Sequence, residues 1–199
     1  MTELGKDAPE PAFSLELTQE EREHLLQLAR LAVARALNGK FSEEDLPPAP
    51  GETLKKELGA FVSLHRGGRL RGCIGRLVGD APLCLTVARM AQAAAFHDPR
   101  FPPLRKEELE DLHYEISIMG PITPCREPEQ IRIGRHGLII RSGSRQGLLL
   151  PQVPVEWGWD REEFLRQTCR KAGLPPGQWK EAWKEPSGTE LHWFEAVVF

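Results

Sequence analysis

Apolar residues recur every three or four positions in three segments of the chain, and this spacing predicts three helices. The first helix is expected over residues 18–39, where Thr18 begins a capping box that satisfies free backbone N–H groups. The second is expected over residues 80–97 with Asp80 as its N-cap, and the third over residues 160–173. Each segment has one apolar face, so each helix is expected to bury that face against the rest of the protein.

Between the helices the pattern changes to short runs rich in β-branched and aromatic residues, which are typical of strands. Six runs are predicted to be strands: residues 59–65, 70–77, 113–119, 137–141, 147–150 and 190–199. Gly67 and Gly68 lie between the first two runs and can supply the positive φ values of a tight hairpin turn. Hairpin-linked strands with helices between them predict the α+β class, with an antiparallel sheet flanked by helices.

Composition places the chain among ordinary globular proteins, with 40% hydrophobic and 28% charged residues in 199 positions. The formal net charge of -3 makes nucleic acid an unexpected partner. The first residues lack the apolar core of a signal peptide, no apolar run could span a membrane, and the four cysteines form no Cys-x-x-Cys pair. We therefore expect a cytoplasmic protein, with residues 1–17 as a loosely ordered lead-in and residues 18–199 as one module with two lobes.

The segment Leu70 to Gly75 is the candidate functional centre. In a regular strand Arg71, Cys73 and Gly75 share one face, and the glycines suggest a bulge or a close approach by a ligand or by another backbone segment. Several arginines crowd the same hairpin: Arg66, Arg69, Arg71 and Arg76. Guanidinium groups beside a thiol lower its pKa and attract anions, so the sequence predicts a reactive Cys73 and a small anionic ligand.

The hexapeptide Leu70-Arg71-Gly72-Cys73-Ile74-Gly75 resembles the signature of the AMMECR family, also called AmmeMemoRadiSam system protein A. Further stretches resemble the family in the same order: residues 59–64, 98–103, 150–153 and 156–160. Arg76 stands where the family commonly has Thr, and Pro154 where a helix-compatible residue is usual. The second difference puts the local helix geometry in doubt.

The resemblance implies an α+β fold with a larger and a smaller lobe, and a functional signature without a firmly assigned reaction. It implies a shared pathway with Memo-like and radical-SAM proteins as partners, and it gives no reason to expect a cofactor. The residues carried over as candidate binding residues are Leu70, Arg71, Gly72, Ile74, Gly75, Asp98, Arg100, Phe101, Glu156 and Trp159, with Cys73 as the catalytic candidate.

Three side chains are candidate helpers of Cys73, because a nucleophilic thiol needs a base or a cation nearby: His65, His97 and Glu115. Each also has a plain structural interpretation, as a surface histidine or a solvated strand residue. No metal-binding motif is present.

Two functions remain open from the sequence. One is a cysteine-dependent enzyme or enzyme subunit with a ligand pocket. The alternative is a non-catalytic adaptor that docks a partner protein through an exposed, flat surface around Ile74.

Overall fold

A computed structural model describes residue 13, residues 15–184 and residues 186–199. It contains two four-stranded antiparallel sheets, with strand orders β2-β1-β3-β8 and β4-β7-β5-β6. Helices pack against both sheets, so the predicted α+β class is confirmed. The lead-in prediction for residues 1–17 falls mostly outside the described residues, although Leu17 itself is buried.

The first sheet is formed by β1 (Ala60–Arg66), β2 (Arg69–Arg76), β3 (Leu112–Met119) and β8 (Ala196–Val198). Helix α2 (Leu83–Phe96) packs on β1 and β2, and α1 (Gln19–Leu37) packs on α2 and β3. The predicted capping box forms at the start of α1. Because both helices cover the same face of the sheet, its other face is left to line a cleft.

The second sheet is formed by β4 (Thr123–Pro124), β5 (Gly137–Ser142), β6 (Arg145–Leu149) and β7 (Thr189–Phe194). Helix α4 (Arg161–Lys171) packs on β5 and β6, and Asp160 caps it by accepting the Glu163 N–H. A short helix, α3 (Gln152–Glu156), follows β6. A small apolar cluster that includes Met119 and Ile139 joins the two sheets.

Two expectations about element ends are wrong. Asp80 does not cap α2, because the helix begins only at Leu83, with Pro82 as its N-cap, and the Asp80 carboxylate forms an ion pair with Arg76 instead. The predicted strand over residues 190–199 is divided at Glu195 between β7 and β8, which belong to different sheets. Hydrophobic periodicity detects an extended segment but carries no information about which sheet each half joins.

Within the described residues, no helix is long and apolar enough to cross a membrane.

Candidate functional site

A cleft of about 430 Å³ lies between the uncovered face of the first sheet and the β6–α3 segment of the second. Its walls are largely apolar, with Phe61 on one side and Leu148, Leu150 and Val153 on the other. Concave, mostly apolar clefts with a few polar groups are the usual form of small-molecule sites. The cleft is therefore the candidate functional site.

The floor of the cleft carries a row of three polar side chains from three neighbouring strands. Ser63 on β1 pairs directly with Cys73 on β2 and with Glu115 on β3, so the three share one face of the sheet. The Ser63 hydroxyl donates a hydrogen bond to Cys73 Sγ over 3.3 Å. The sheet register thus brings two predicted residues, Cys73 and Glu115, onto one surface.

A bulge changes the alternation predicted for β2. Leu64 pairs with Gly72, but the next residue, His65, pairs with Leu70, which leaves Arg71 as the extra residue. Leu70 therefore lines the cleft beside His65, whereas regular alternation had placed it on the opposite face from Cys73. The glycines correctly indicated an irregular strand, but its position shifted one side chain across the sheet.

The two glycines of the segment have separate packing reasons. A Cβ atom at Gly72 would collide with the backbone carbonyl of Ala94 in α2. A Cβ atom at Gly75 would collide with the ring of Phe61, which lies over that position at the cleft wall. Gly72 thus lets the helix approach the strand, and Gly75 makes room for an aromatic wall of the cleft.

Asp98 and Arg100 hold the outer edge of β2 beside Cys73. The Cys73 backbone N–H donates to Asp98 Oδ2 over 2.8 Å, and the Cys73 carbonyl accepts from Arg100 Nη2 over 3.2 Å. The Arg100 guanidinium also donates to both carboxylate oxygens of Asp98, at 2.9 and 2.7 Å. Because β2 is the edge strand of its sheet, this pair takes the place of a neighbouring strand.

Charge lowers the pKa of the Asp98 carboxyl, whereas burial raises the pKa of the Cys73 thiol. Only 1% of the Asp98 side chain is exposed, and the Arg100 guanidinium holds the pKa of that carboxyl well below its usual range. Burial, by contrast, raises the pKa of the Cys73 thiol, although the Ser63 hydroxyl and Arg100 oppose it. The direction of this shift is therefore opposite to the lowered pKa expected from the hairpin arginines.

The expected arginine-rich site is also corrected by the structure. Arg71 is bound by Glu108, with its Nε 2.8 Å from Oε1, and Arg76 is paired with Asp80. Arg66 lies near Glu108 and Asp111 on the same side. Acidic residues further along the chain thus neutralise three of the four hairpin arginines away from the cleft. Among the residues that the structure describes, the arginine and lysine side chains that line the cleft are Arg100 and Lys171.

The α3 segment supplies polar residues to the opposite wall. Gln152 Nε2 donates to Glu115 Oε1 over 3.1 Å and lies 3.4 Å from Ser117 Oγ, so it links α3 to the first sheet. Glu156 lies one helical turn beyond Gln152 and also lines the cleft. Pro154 is accommodated because it lies in the first turn of α3, where no helical hydrogen bond requires its missing N–H.

Sequence reasoning missed Ser63, Gln152 and Phe61 as parts of this site. The alternation of β1 would have placed Phe61 and Ser63 on the face of the strand that also carries His65. Gln152 lies within the Leu-Pro-x-Val motif, but nothing in that motif indicates which strand its amide contacts.

The structure places some of the remaining predicted residues in the cleft and others outside it. His65, Ile74 and Glu156 line the cleft with the residues described above. Phe101 lies under the guanidinium groups of Arg71 and Arg100, outside the cleft lining, and Trp159 packs against the core of the second sheet. His97 is an exposed residue at the end of α2. Of the two candidate histidines, only His65 is placed beside the polar row.

No group of three or more His, Cys, Asp or Glu side chains within the described ranges is placed to hold a metal ion. Hydrogen bonding, apolar contact and the chemistry of the Cys73 thiol are the interactions that the cleft offers a ligand.

Comparisons with known proteins agree with the sequence motifs. The AMMECR1 family model matches residues 26–199. A protein of Thermococcus gammatolerans is 45% identical over 190 residues, covering 89% of this chain and 88% of the relative. A protein of Methanopyrus kandleri is 45% identical over 192 residues, covering 92% and 89% of the two chains. The crystal structure of an uncharacterized protein from Pyrococcus horikoshii matches with a TM-score of 0.81 and 42% identity, covering 92% of each chain.

Proposed function

The chain belongs to the AMMECR1 family, and from that premise and the geometry of the cleft we propose that it binds a small molecule beside Cys73. The observation that carries the proposal is a cleft of about 430 Å³ whose floor holds the signature cysteine. The apolar walls would contact the body of the ligand, and the polar row of Ser63, Cys73 and Glu115 would fix its orientation.

Binding is better supported than catalysis by the thiol. A nucleophilic cysteine is usually a thiolate, and burial raises the pKa of Cys73 instead. His65 lies two residues from Ser63 on the same strand face, but the described hydrogen bond of the Cys73 thiol is to Ser63 and not to this imidazole. We therefore assign Cys73 to ligand contact and assign it no covalent step.

The adaptor alternative required an exposed, flat surface around Ile74. Ile74 is instead half-buried against the first core, and the signature segment lines a concave surface. These observations favour a small ligand over a docked protein at this segment.

The partners expected from the family resemblance, Memo-like and radical-SAM proteins, extend the proposal: the ligand would be a substrate, product or intermediate of the pathway they share. Co-purification of the intact chain with a Memo-like protein tests this part. If a substitution that fills the cleft leaves this co-purification unchanged, the partner protein and the ligand bind at different places.

A fragment screen by nuclear magnetic resonance tests the ligand-binding proposal. We expect bound fragments to shift the amide signals of Ser63, Cys73 and Glu115. The substitution Val153→Trp, which fills the cleft from α3, should abolish these shifts. Val155→Trp is the matched control, because Val155 lies on the same short helix and is 59% exposed outside the cleft. Fragments that avoid the cleft, or that still bind there in Val153→Trp, would contradict the proposal.

A further inference from the structure

The α3 side of the cleft is acidic. Glu115 lines it as a half-buried residue and Glu156 as an exposed one, and neither carboxylate forms an ion pair with any residue that the structure describes. Among those residues, the one side chain that donates to Glu115 is the neutral amide of Gln152. A negative charge in a largely apolar cleft is costly unless it is compensated, so this end of the cleft favours a group that donates hydrogen bonds.

Gln152 holds the Glu115 carboxylate in place. Because a carboxylate only accepts hydrogen bonds, the amide nitrogen is the part of Gln152 that faces Glu115. Its oxygen, Oε1, is buried without a donor among the described residues and is closed to solvent. A ligand in the cleft therefore meets Glu115 as its acceptor, and the neutral amide leaves the negative charge of that carboxylate without a cation.

Neither of the two cationic side chains that line the cleft, Arg100 and Lys171, pairs with Glu115. Arg100 already shares two hydrogen bonds with the Asp98 carboxylate, so the pair is close to neutral. Lys171 is an exposed residue at the end of α4. The floor therefore runs from a nearly neutral edge beside Cys73 to an acidic end at Glu115.

We propose that the ligand carries a protonated amine, or a similar group with several N–H donors, directed at Glu115 and attached to an apolar body. This inference rests on the proposed function and specifies the ligand class of the same cleft. It opposes the anionic ligand predicted from the hairpin arginines, because three of them, Arg66, Arg71 and Arg76, pair with carboxylates outside the cleft, and Arg69 does not line it.

Cys73 provides the reporter for a test of charge. Three methanethiosulfonate reagents are compared: a cationic trimethylammonium-ethyl form and an anionic sulfonato-ethyl form of similar size, and a smaller, neutral methyl form. In each reaction the Cys73 thiolate forms a disulfide with the reagent and releases methanesulfinate. The rate of modification is followed by mass spectrometry of the Cys73 peptide and divided by the rate with free 2-mercaptoethanol.

We expect the cationic reagent to be favoured over the anionic one by about fivefold to tenfold, because the partly screened Glu115 carboxylate attracts one reagent and repels the other. Glu115→Gln should reduce that ratio to near one, because the substituted amide keeps its contact with Gln152 and removes only the charge. A changed thiol pKa would alter all three rates together and cancel in the ratio. Glu190→Gln, at an exposed position on β7, is the control and should leave the ratio unchanged.

Two contrary results have different meanings. If the neutral reagent modifies Cys73 and the ratio is near one or favours the anion, the amine proposal is wrong while the cleft remains accessible. If the neutral reagent modifies Cys73 only after unfolding, the proposed binding site itself is wrong.

An equilibrium measurement tests the ligand class directly. Benzylamine should slow modification of Cys73 by the neutral reagent at concentrations at least about fivefold lower than phenylacetate or benzyl alcohol, for the same electrostatic reason. The advantage should disappear in Glu115→Gln. Equal protection by all three compounds would overturn the charge assignment and keep only the apolar part of the site.

Discussion

Two buried carboxylates, those of Asp98 and Glu195, have the same kinds of hydrogen-bond partner but lie in different parts of the molecule. Each accepts from an arginine guanidinium and from a backbone N–H, that of Cys73 for Asp98 and that of Phe13 for Glu195. Asp98 holds the open edge of one strand beside the cleft. Glu195 lies where the chain leaves β7 in the second sheet and enters β8 in the first.

The two carboxylates differ most in the sequence distance to their partners. Asp98 binds an arginine two residues away, whereas Glu195 binds Arg135 across 60 positions. The first arrangement fixes a local turn, and the second ties distant segments together at the junction of the sheets. We therefore expect loss of Glu195 to affect global stability more, and loss of Asp98 to affect the cleft more.

The largest expected effect is that of Glu195→Ala. Removing the carboxylate leaves Arg135 partly buried without its partner, and we expect the free energy of unfolding to fall by about 3 kcal/mol, measured by urea denaturation. Glu190→Ala is the matched control on β7. Its carboxylate is exposed and faces the exposed Arg141, so the change should stay within about 0.5 kcal/mol. Equal losses in the two variants would remove the special role of Glu195.

A smaller global loss and a sharper local one are expected for Asp98→Ala. The free energy of unfolding should fall by about 2 kcal/mol, because a buried acceptor of several hydrogen bonds is lost. Hydrogen exchange of the Cys73 amide should become faster, since that N–H donates to Asp98. The control is Asp111→Ala, an exposed carboxylate near Arg66, which should leave exchange at Cys73 unchanged.

The contrast between these two carboxylates also shows how far the sequence could be read. The Asp-x-Arg spacing and the signature segment are local, and both were identified as candidate site residues. The hairpins, the three main helices and the α+β class follow from local periodicity and turn residues in the same way. The partners of Glu195, the contact of Gln152 with Glu115 and the Glu108 partner of Arg71 all depend on packing between distant segments, which no local pattern encodes.

The Cys73 thiol shows that charged residues nearby in the sequence do not by themselves predict the direction of a pKa shift. Four arginines near it in sequence predicted a lowered pKa, but three of them, Arg66, Arg71 and Arg76, meet carboxylates outside the cleft. Burial then determines the direction of the shift. Strand alternation placed Cys73 on one face of β2, but it did not indicate which face the helices cover.

The free energy of unfolding should also depend on pH through His136, a residue close to Glu195. This imidazole is buried, stacks on Trp193 and accepts the Arg132 N–H at Nδ1, and burial lowers its pKa to about 4. The unfolded pKa is near 6.5, so the unfolded chain binds more protons between pH 4 and 6.5, and stability falls as the solution is acidified through that window.

From pH 7.5 to 5.5 we expect His136 to contribute a loss of about 1 kcal/mol in the free energy of unfolding, measured in urea at each pH. His136→Phe should flatten this part of the pH dependence while keeping an aromatic ring against Trp193. His113→Phe, at an exposed position on β3, is the control and should keep the wild-type slope. An unchanged slope in His136→Phe would show that the imidazole is not the titrating group.

The smallest expected effects are those of replacing the arginine partner of each carboxylate, Arg100 or Arg135, by lysine. In Arg100→Lys, Asp98 keeps the Cys73 and Arg100 backbone N–H donors, and the lost guanidinium is 45% exposed, so we expect a loss of only about 0.5 kcal/mol. In Arg135→Lys, Glu195 keeps one backbone donor, from Phe13, and the loss should be larger, about 1 kcal/mol. Urea denaturation of the two variants in parallel measures the difference. A greater loss at Arg100 would mean that the edge of β2, and not the junction of the sheets, depends more on its guanidinium.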